Sequence, residues 1–183
     1  MPNKIILKKK IKNFYKKISI PGDKSISIRW VLISSFASGV SKAKNLLMSE
    51  DVLAAIKAIR KLGVKVHIKK NYCEVHGVGM NGFKYKKNLV INAQNSGTLG
   101  RLISGILIDT PFPIKIIGDK SLSKRDFKRV TRPLSKFGAT FQLRNNSNLP
   151  LVINGSQKLN SMKFFENKGS AQCKSSVIFA GMR

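Results

Sequence analysis

The chain contains 183 residues, a length typical of one domain, or of one domain and part of another. Hydrophobic residues make up 42% and charged residues 23% of the sequence, which excludes a wholly disordered or collagen-like protein. The 35 Lys and Arg residues outnumber the 8 Asp and Glu residues, and the formal net charge of +27 predicts anionic partners: nucleic acid, an anionic membrane surface, or small phosphorylated and carboxylated substrates. Codon bias in an AT-rich genome would also enrich Lys, so charge alone does not select among these partners.

The cysteine content indicates a reducing compartment. Cys73 and Cys173 fit neither a disulfide framework nor a metal-ligand spacing, so we expect free thiols in a cytoplasmic protein without a metal site. The sequence has no apolar run of about 18 residues, and its Lys-rich start lacks the apolar segment of a signal peptide. We therefore expect neither a membrane span nor secretion.

The chain is predicted to consist of an arm followed by a repeated α/β (α+β) unit. Residues 1–16 alternate Ile and Leu with Lys, which predicts an exposed strand or arm. From residue 17 a βαβαββ unit of about 73 residues recurs, and its first strand is predicted to end at the Pro21-Gly22 pair. The predicted units span residues 17–87, residues 88–160 and, incompletely, residues 161–183, where residues 162–165 are the predicted strand.

Two recurring features support this repeat. In three places a small or hydroxyl residue is followed four positions later by a cation and then by an apolar, helix-like run. The pairs are Ser25 with Arg29, Gly97 with Arg101, and Ser170 with Lys174. Two amphipathic helices, the first beginning at Ser49, are predicted to end at Gly63 and Gly138 and to be followed by alternating strands. An incomplete third unit would leave apolar helix surface uncovered, so we expect the chain to be the front part of a longer protein; a helix that simply ends at Arg183 is the alternative.

The first candidate site is the start of the first helix. Lys24 and Ser25 follow a Pro-Gly pair and lie at the predicted helix start, where free backbone N–H groups and the helix dipole favour an anion. Arg29 lies one turn further on the same face. The alternative interpretation is that Ser25 or Ser27 only caps the helix and that Arg29 is a solvated surface charge.

Three further segments repeat this chemistry. Asn95-Ser96-Gly97-Thr98 predicts a second helix start, in which Gly97 lets backbone approach a ligand closely. The loop at residues 118–125 carries three cations, of which Arg125 has the forked geometry that grips a phosphate. Ser170-Ala171-Gln172 opens the third helix. Each segment alone is also compatible with an ordinary surface loop or helix, but together they predict several anion-binding helix starts at one end of the sheets.

These motifs resemble the 5-enolpyruvylshikimate-3-phosphate synthase (3-phosphoshikimate 1-carboxyvinyltransferase) family. The resemblance rests on residues 21–27, on residues 95–98 with Arg101, on residues 118–125 with Arg129-Val130, and on residues 170–172. It implies transfer of the enolpyruvyl group from phosphoenolpyruvate to the 5-hydroxyl of shikimate 3-phosphate, in the shikimate pathway to aromatic amino acids. It also implies no metal or organic cofactor, no nucleic-acid or membrane partner, and a cytoplasmic enzyme that is a monomer when complete.

The resemblance further implies a role for each site residue. Lys24 would contact both substrates and act electrostatically. The shikimate 3-phosphate ligands would be Lys24, Ser25, Arg29, Ser170, Ala171 and Gln172. The phosphoenolpyruvate ligands would be Lys24, Gly97, Arg125 and Gln172. Asn95, Thr98 and Arg101 would be further contacts of the site.

The sequence also departs from the family pattern. Ile28 stands where His is usual, and Asp126 stands where Pro is usual. The resemblance implies a second domain that carries the acid–base carboxylates, and we do not expect that domain within these 183 residues. The acids near the motifs, Asp23, Asp119 and Asp126, form no convincing acid–base pair. We therefore expect a half-site with little or no turnover. A UDP-N-acetylglucosamine enolpyruvyl transferase-like enzyme and a non-catalytic basic nucleic-acid-binding module are the alternatives.

Overall fold

The computed structural model describes residues 6, 8–10, 13, 15–69, 72–167 and 169–183. In chain order its elements are α1 (Lys24–Phe36), β1 (Ser38–Lys44), α2 (Glu50–Lys61), β2 (Lys65–Lys69), β3 (Tyr72–Val78), β4 (Val90–Asn92), α3 (Gly97–Ile106), β5 (Ile114–Ile117), α4 (Lys128–Ser135), β6 (Thr140–Arg144), β7 (Asn148–Asn154) and α5 (Ala171–Gly181), with a 3-10 turn at Leu122–Lys124. None of the helices in this described part of the chain has the length and apolar character needed to cross a membrane.

The strands form two small sheets with related topologies. The first is antiparallel, in the order β1-β3-β2. The second has the order β4-β5-β7-β6, in which β4 runs parallel to β5 and the remaining pairs are antiparallel. The order helix, strand, helix, strand, strand thus occurs twice along the described chain. The predicted mixed α/β fold is confirmed, whereas the number of repeat units stays a prediction.

Local signals place helix α2 and the turns that end the amphipathic helices. Ser49 precedes α2, and Val52, Ile56 and Ile59 form its buried face, as the apolar spacing predicts. Gly63 and Gly138 follow α2 and α4 with φ angles of +88° and +106°, a region that residues with a side chain rarely adopt. Both predicted helix stops are therefore confirmed.

Two predicted strands are wrong. Residues 17–20 and 162–165 have alternating or apolar sequences, yet neither segment is a strand in the structure. A strand needs a neighbouring strand to complete its hydrogen bonds, and no described strand pairs with either segment. The predicted arm, residues 1–16, lies partly outside the described residues; residues 6, 8–10, 13, 15 and 16, which are described, do not form a strand.

Helix α1 is capped by Asp23, whereas the alternative interpretation of the sequence assigned this cap to Ser25 or Ser27. The Asp23 carboxylate, not Ser25 or Ser27, accepts a hydrogen bond from the Ile26 N–H at 2.7 Å. Ser27 is buried, and its hydroxyl instead accepts the N–H of Leu47 at 3.1 Å. Ser27 therefore fixes the segment that leads into α2, and Ser25 is left exposed at the helix start.

Candidate anion-binding site

Helices α1, α3 and α5 begin with the same capped geometry. Their N-cap residues are Asp23, Ser96 and Ser170, and each side chain accepts the backbone N–H of the residue three positions later. The cap satisfies only one of the four N–H groups that a helix start leaves free. The remaining N–H groups and the helix dipole favour an anion at each of the three starts.

Six of the predicted site residues form what we call the arginine cluster: Asn95, Gly97, Thr98, Arg101, Arg125 and Gln172. Arg101 Nη1 donates to Gln172 Oε1 at 2.5 Å, and Gln172 Nε2 donates to Thr98 Oγ1 at 2.9 Å. Arg125 Nη2 donates to Asn95 Oδ1 at 3.2 Å. These hydrogen bonds join the start of α3 to the first turn of α5 and to the loop before α4.

Gly97 lies directly beneath both guanidinium groups of the cluster. A Cβ atom on Gly97 would lie 3.2 Å from Arg125 Nη1 and 3.3 Å from Arg101 Nη1. Both distances are shorter than ordinary van der Waals contacts, so a side chain would displace the two arginines. The glycine thus allows two positive charges to lie against the backbone at the start of α3.

The positive charge of the cluster is poorly neutralised. Arg101 donates to the Asp126 carbonyl at 3.1 Å and stacks on the Phe127 ring, whose centroid is 5.3 Å away. Burial, followed by the charges of Arg125 and Arg129, lowers the pKa of the Arg101 guanidinium from its ordinary value. Among the described residues, no carboxylate forms an ion pair with Arg101, Arg125 or Arg29. The electrostatics therefore favour a bound anion.

The three nearby acids stabilise local backbone. Asp23, Asp119 and Asp126 each accept a backbone N–H two or three residues further along the chain. The donors are Ile26 at 2.7 Å, Leu122 at 2.7 Å and Lys128 at 2.6 Å, respectively. These carboxylates therefore fix helix starts and turns around the site.

Arg29 links α1 to α5. Its Nε donates to Ser175 Oγ at 3.1 Å, and its Nη1 and Nη2 donate to the carbonyls of Ser25 at 3.1 Å and Ala171 at 3.4 Å. Ser175 was not among the residues predicted from the sequence, although its position one helical turn after Ala171 is the signal that would have identified it. Arg29 has five N–H donors and uses three of them within the described part of the chain, which leaves two for a ligand.

Lys24 lies apart from these contacts. Its ammonium pairs with Asp51 of α2 at 3.0 Å, and within the described residues it takes no part in the hydrogen bonds of the arginine cluster. The Lys24 side chain is 52% exposed and the Asp51 side chain 21% exposed. No signal in the sequence predicted this ion pair, because Lys24 and Asp51 lie on different helices and far apart in the chain.

Comparisons with known proteins agree on one family. The family model described as EPSP synthase (3-phosphoshikimate 1-carboxyvinyltransferase) matches residues 8–183. The 3-phosphoshikimate 1-carboxyvinyltransferase of Desulforamulus reducens is 42% identical to this chain over 174 residues, which cover 94% of this chain and 40% of that protein. The enzyme of the same name from Ruthia magnifica is 44% identical over 165 residues, which cover 90% of this chain and 38% of that protein. A solved EPSP synthase from Acinetobacter baumannii superposes with a TM-score of 0.85 at 37% identity, covering 91% of this chain and 38% of that one. The chain thus spans about 40% of the length of its curated relatives.

Proposed function

Because the chain belongs to the EPSP synthase family, we propose that it forms part of an enzyme that transfers the enolpyruvyl group of phosphoenolpyruvate to the 5-hydroxyl of shikimate 3-phosphate. The observation that supports this most strongly is the arginine cluster, whose guanidinium groups lack carboxylate partners among the described residues. Both substrates carry a phosphate and a carboxylate, which suits a site with several separate cationic and N–H donors.

The proposed assignment divides the site between the two substrates. Arg29, with Ser25 and the start of α5 at Ser170, Ala171 and Gln172, holds shikimate 3-phosphate. Gly97 and Arg125 hold phosphoenolpyruvate, with Asn95, Thr98 and Arg101 as further contacts. Gln172 serves both substrates because it is hydrogen bonded to Arg101 and adjoins Ala171, which accepts from Arg29.

The proposed contribution of these residues is electrostatic. The 5-hydroxyl oxygen adds to C2 of phosphoenolpyruvate and loses its proton, while the methylene carbon C3 gains a proton. The tetrahedral adduct then loses phosphate from C2 and a proton from the new methyl group, which restores the double bond. The arginines and the helix-start N–H groups stabilise the phosphate and carboxylate charges throughout, since fixed donors in a partly buried site require little reorganisation. Lys24 would exchange Asp51 for the substrates when they bind.

We further propose the broader organisation implied by the family. The chain comprises units at residues 17–87 and 88–160 and part of a third at 161–183, and a second domain completes the site. The complete enzyme is proposed to act as a cytoplasmic monomer without a nucleic-acid partner. Since Asp23, Asp119 and Asp126 cap local backbone, the carboxylates that transfer protons are proposed to belong to that second domain.

A turnover assay tests the proposed function. Phosphate release from phosphoenolpyruvate is measured for the 183-residue chain and for a chimera in which residues 8–183 replace the matching part of the Ruthia magnifica relative. The chimera is expected to release phosphate only when both substrates are present, and the 183-residue chain is expected to release none above background. Robust turnover by the 183-residue chain alone would contradict the prediction that this chain carries only half of the active site. A folded chimera that binds neither substrate would contradict the proposed function.

A further inference from the structure

Helix α4 contains a carbonyl that lacks its usual helical partner. Pro133 has no backbone N–H, so it cannot donate to the carbonyl of Arg129, four residues earlier in the same helix. The helix nevertheless includes both residues, since it extends from Lys128 to Ser135. The Arg129 carbonyl therefore needs a hydrogen-bond donor from elsewhere.

That donor is the thiol of Cys173. Cys173 lies in the first turn of α5, is 2% exposed, and donates from Sγ to the Arg129 carbonyl at 3.0 Å. Its own N–H is capped by Ser170 Oγ at 3.2 Å. One residue thus connects the α5 start to the α4 backbone at the point where proline leaves a donor missing.

The thiol keeps its proton at neutral pH. Burial, followed by a hydrogen bond to the Glu166 carboxylate and the charge of that carboxylate, raises the pKa of Cys173 to about 12. The Glu166 carboxylate is an alternative acceptor for the single thiol proton, and either acceptor favours the protonated form. Cys173 therefore remains a donor under physiological conditions.

The bonded pair lies beside the arginine cluster. Cys173 directly follows Gln172, whose side chain bonds Arg101. Arg129 is close enough for its charge to lower the pKa of Arg101. Cys173 and Arg129 also line a cavity of about 310 Å³ together with Asp126, whose carbonyl accepts from Arg101. The position of α4 relative to α5 thus affects the electrostatics of the site.

We propose that Cys173 is a positioning residue: its thiol replaces the backbone donor that Pro133 lacks, and so holds α4 and the Arg129 charge beside the arginine cluster. Cys173 touches no substrate in this account. The inference rests on the proposed function, because it concerns the affinity of that same site for shikimate 3-phosphate.

The first test distinguishes an effect of Cys173 on substrate affinity from an effect on the free energy of unfolding. Calorimetry measures shikimate 3-phosphate binding to the 183-residue chain, and urea denaturation measures its stability. Cys173→Ala is expected to weaken binding roughly three- to tenfold, the loss typical of one hydrogen bond. Cys173→Ser, which keeps a donor, is expected to restore the affinity to within about twofold. The matched control is Cys73→Ala, which removes a buried thiol from β3 and is expected to leave the affinity unchanged.

The second test uses Pro133→Ala, which returns an N–H to the Arg129 carbonyl and makes the thiol redundant. In the Pro133→Ala protein, Cys173→Ala is expected to change the affinity for shikimate 3-phosphate by less than about twofold, because the new N–H of residue 133 already satisfies the Arg129 carbonyl. If Cys173→Ala alone fails to fold, recovery of folding in the double variant supports the inference, and failure to recover overturns it. The inference is also overturned if Cys173→Ala loses the same affinity in the wild-type chain and in the Pro133→Ala variant. It is overturned as well if Cys173→Ser binds shikimate 3-phosphate as weakly as Cys173→Ala. A folded wild-type chain that binds no shikimate 3-phosphate contradicts the proposed function instead.

Discussion

Replacing Gly105 with Ala is expected to lower the free energy of unfolding by about 3 kcal/mol, the upper end of the usual cost of overpacking. Gly105 lies in α3 against α5, and a Cβ atom there would lie 2.0 Å from the carbonyl oxygen of Ser176 and 2.9 Å from its carbonyl carbon. Backbone atoms cannot rotate away, so the two helices must separate. The same contact includes the Ser176 hydroxyl, which donates to the Arg101 carbonyl at 2.7 Å, so the arginine cluster would move as well.

Thermal and urea denaturation measure this effect. For a chain of this size, a loss of about 3 kcal/mol corresponds to a decrease in Tm of roughly 6–12 °C. Gly181→Ala is the matched control, because Gly181 ends α5 and a Cβ atom there would have no atom of the described residues within 4 Å. The control is expected to change stability by less than about 1 kcal/mol, in the stabilising direction. Equal stability of the two variants would show that α3 and α5 are not in close contact.

Replacing Arg125 with Ala is expected to weaken phosphoenolpyruvate binding by a factor of roughly 10–150, the range for a hydrogen bond to a charged group. The Arg125 side chain is exposed and donates to Asn95, so its removal is expected to leave the free energy of unfolding nearly unchanged. The measurement is a calorimetric titration of phosphoenolpyruvate in the presence of shikimate 3-phosphate. Arg125→Lys retains the charge but not the planar fork, so an intermediate affinity is expected.

A control distinguishes a local contact from the general effect of net charge. Lys57→Ala removes one exposed positive charge from α2, and its affinity is expected to remain within about twofold of wild type, because exposed charges are screened over distances of about 10 Å. A loss of affinity as large as that of Arg125→Ala would indicate that the overall charge of +27, rather than the arginine cluster, attracts the ligand.

The sequence predicts the elements whose signals are local. Gly63, Gly138 and the acidic first turn of α2 are recognisable because positive φ angles and helix dipoles act within a few residues. The cap of α1 was harder to identify, since Asp23, Ser25 and Ser27 are all good capping residue types and only the backbone path decides among them. Residues 17–20 and 162–165 were mispredicted because a strand requires partners that are distant in the sequence.

The same distinction applies to the candidate site. Helix starts and cations can be read from short spacings, so Gly97 and Arg101 could be selected from the sequence, and the structure places the two residues close together. The contacts between helices cannot be read in this way, since Arg101 and Gln172 are 71 positions apart and meet only because α3 packs on α5. The Cys173 bond to Arg129 depends on the packing of α4 against α5 and has no local signal.

The most direct test of the central claim, that the starts of α1, α3 and α5 form a site for a phosphorylated metabolite, compares two ligands that differ in a single group. Shikimate 3-phosphate and shikimate are titrated calorimetrically into the wild-type chain at low and high salt, with circular dichroism to verify folding. We expect shikimate 3-phosphate to bind at least about tenfold more tightly than shikimate, and we expect added salt to weaken its binding. Equal affinity for the two ligands, or no binding by a folded chain, would contradict the account.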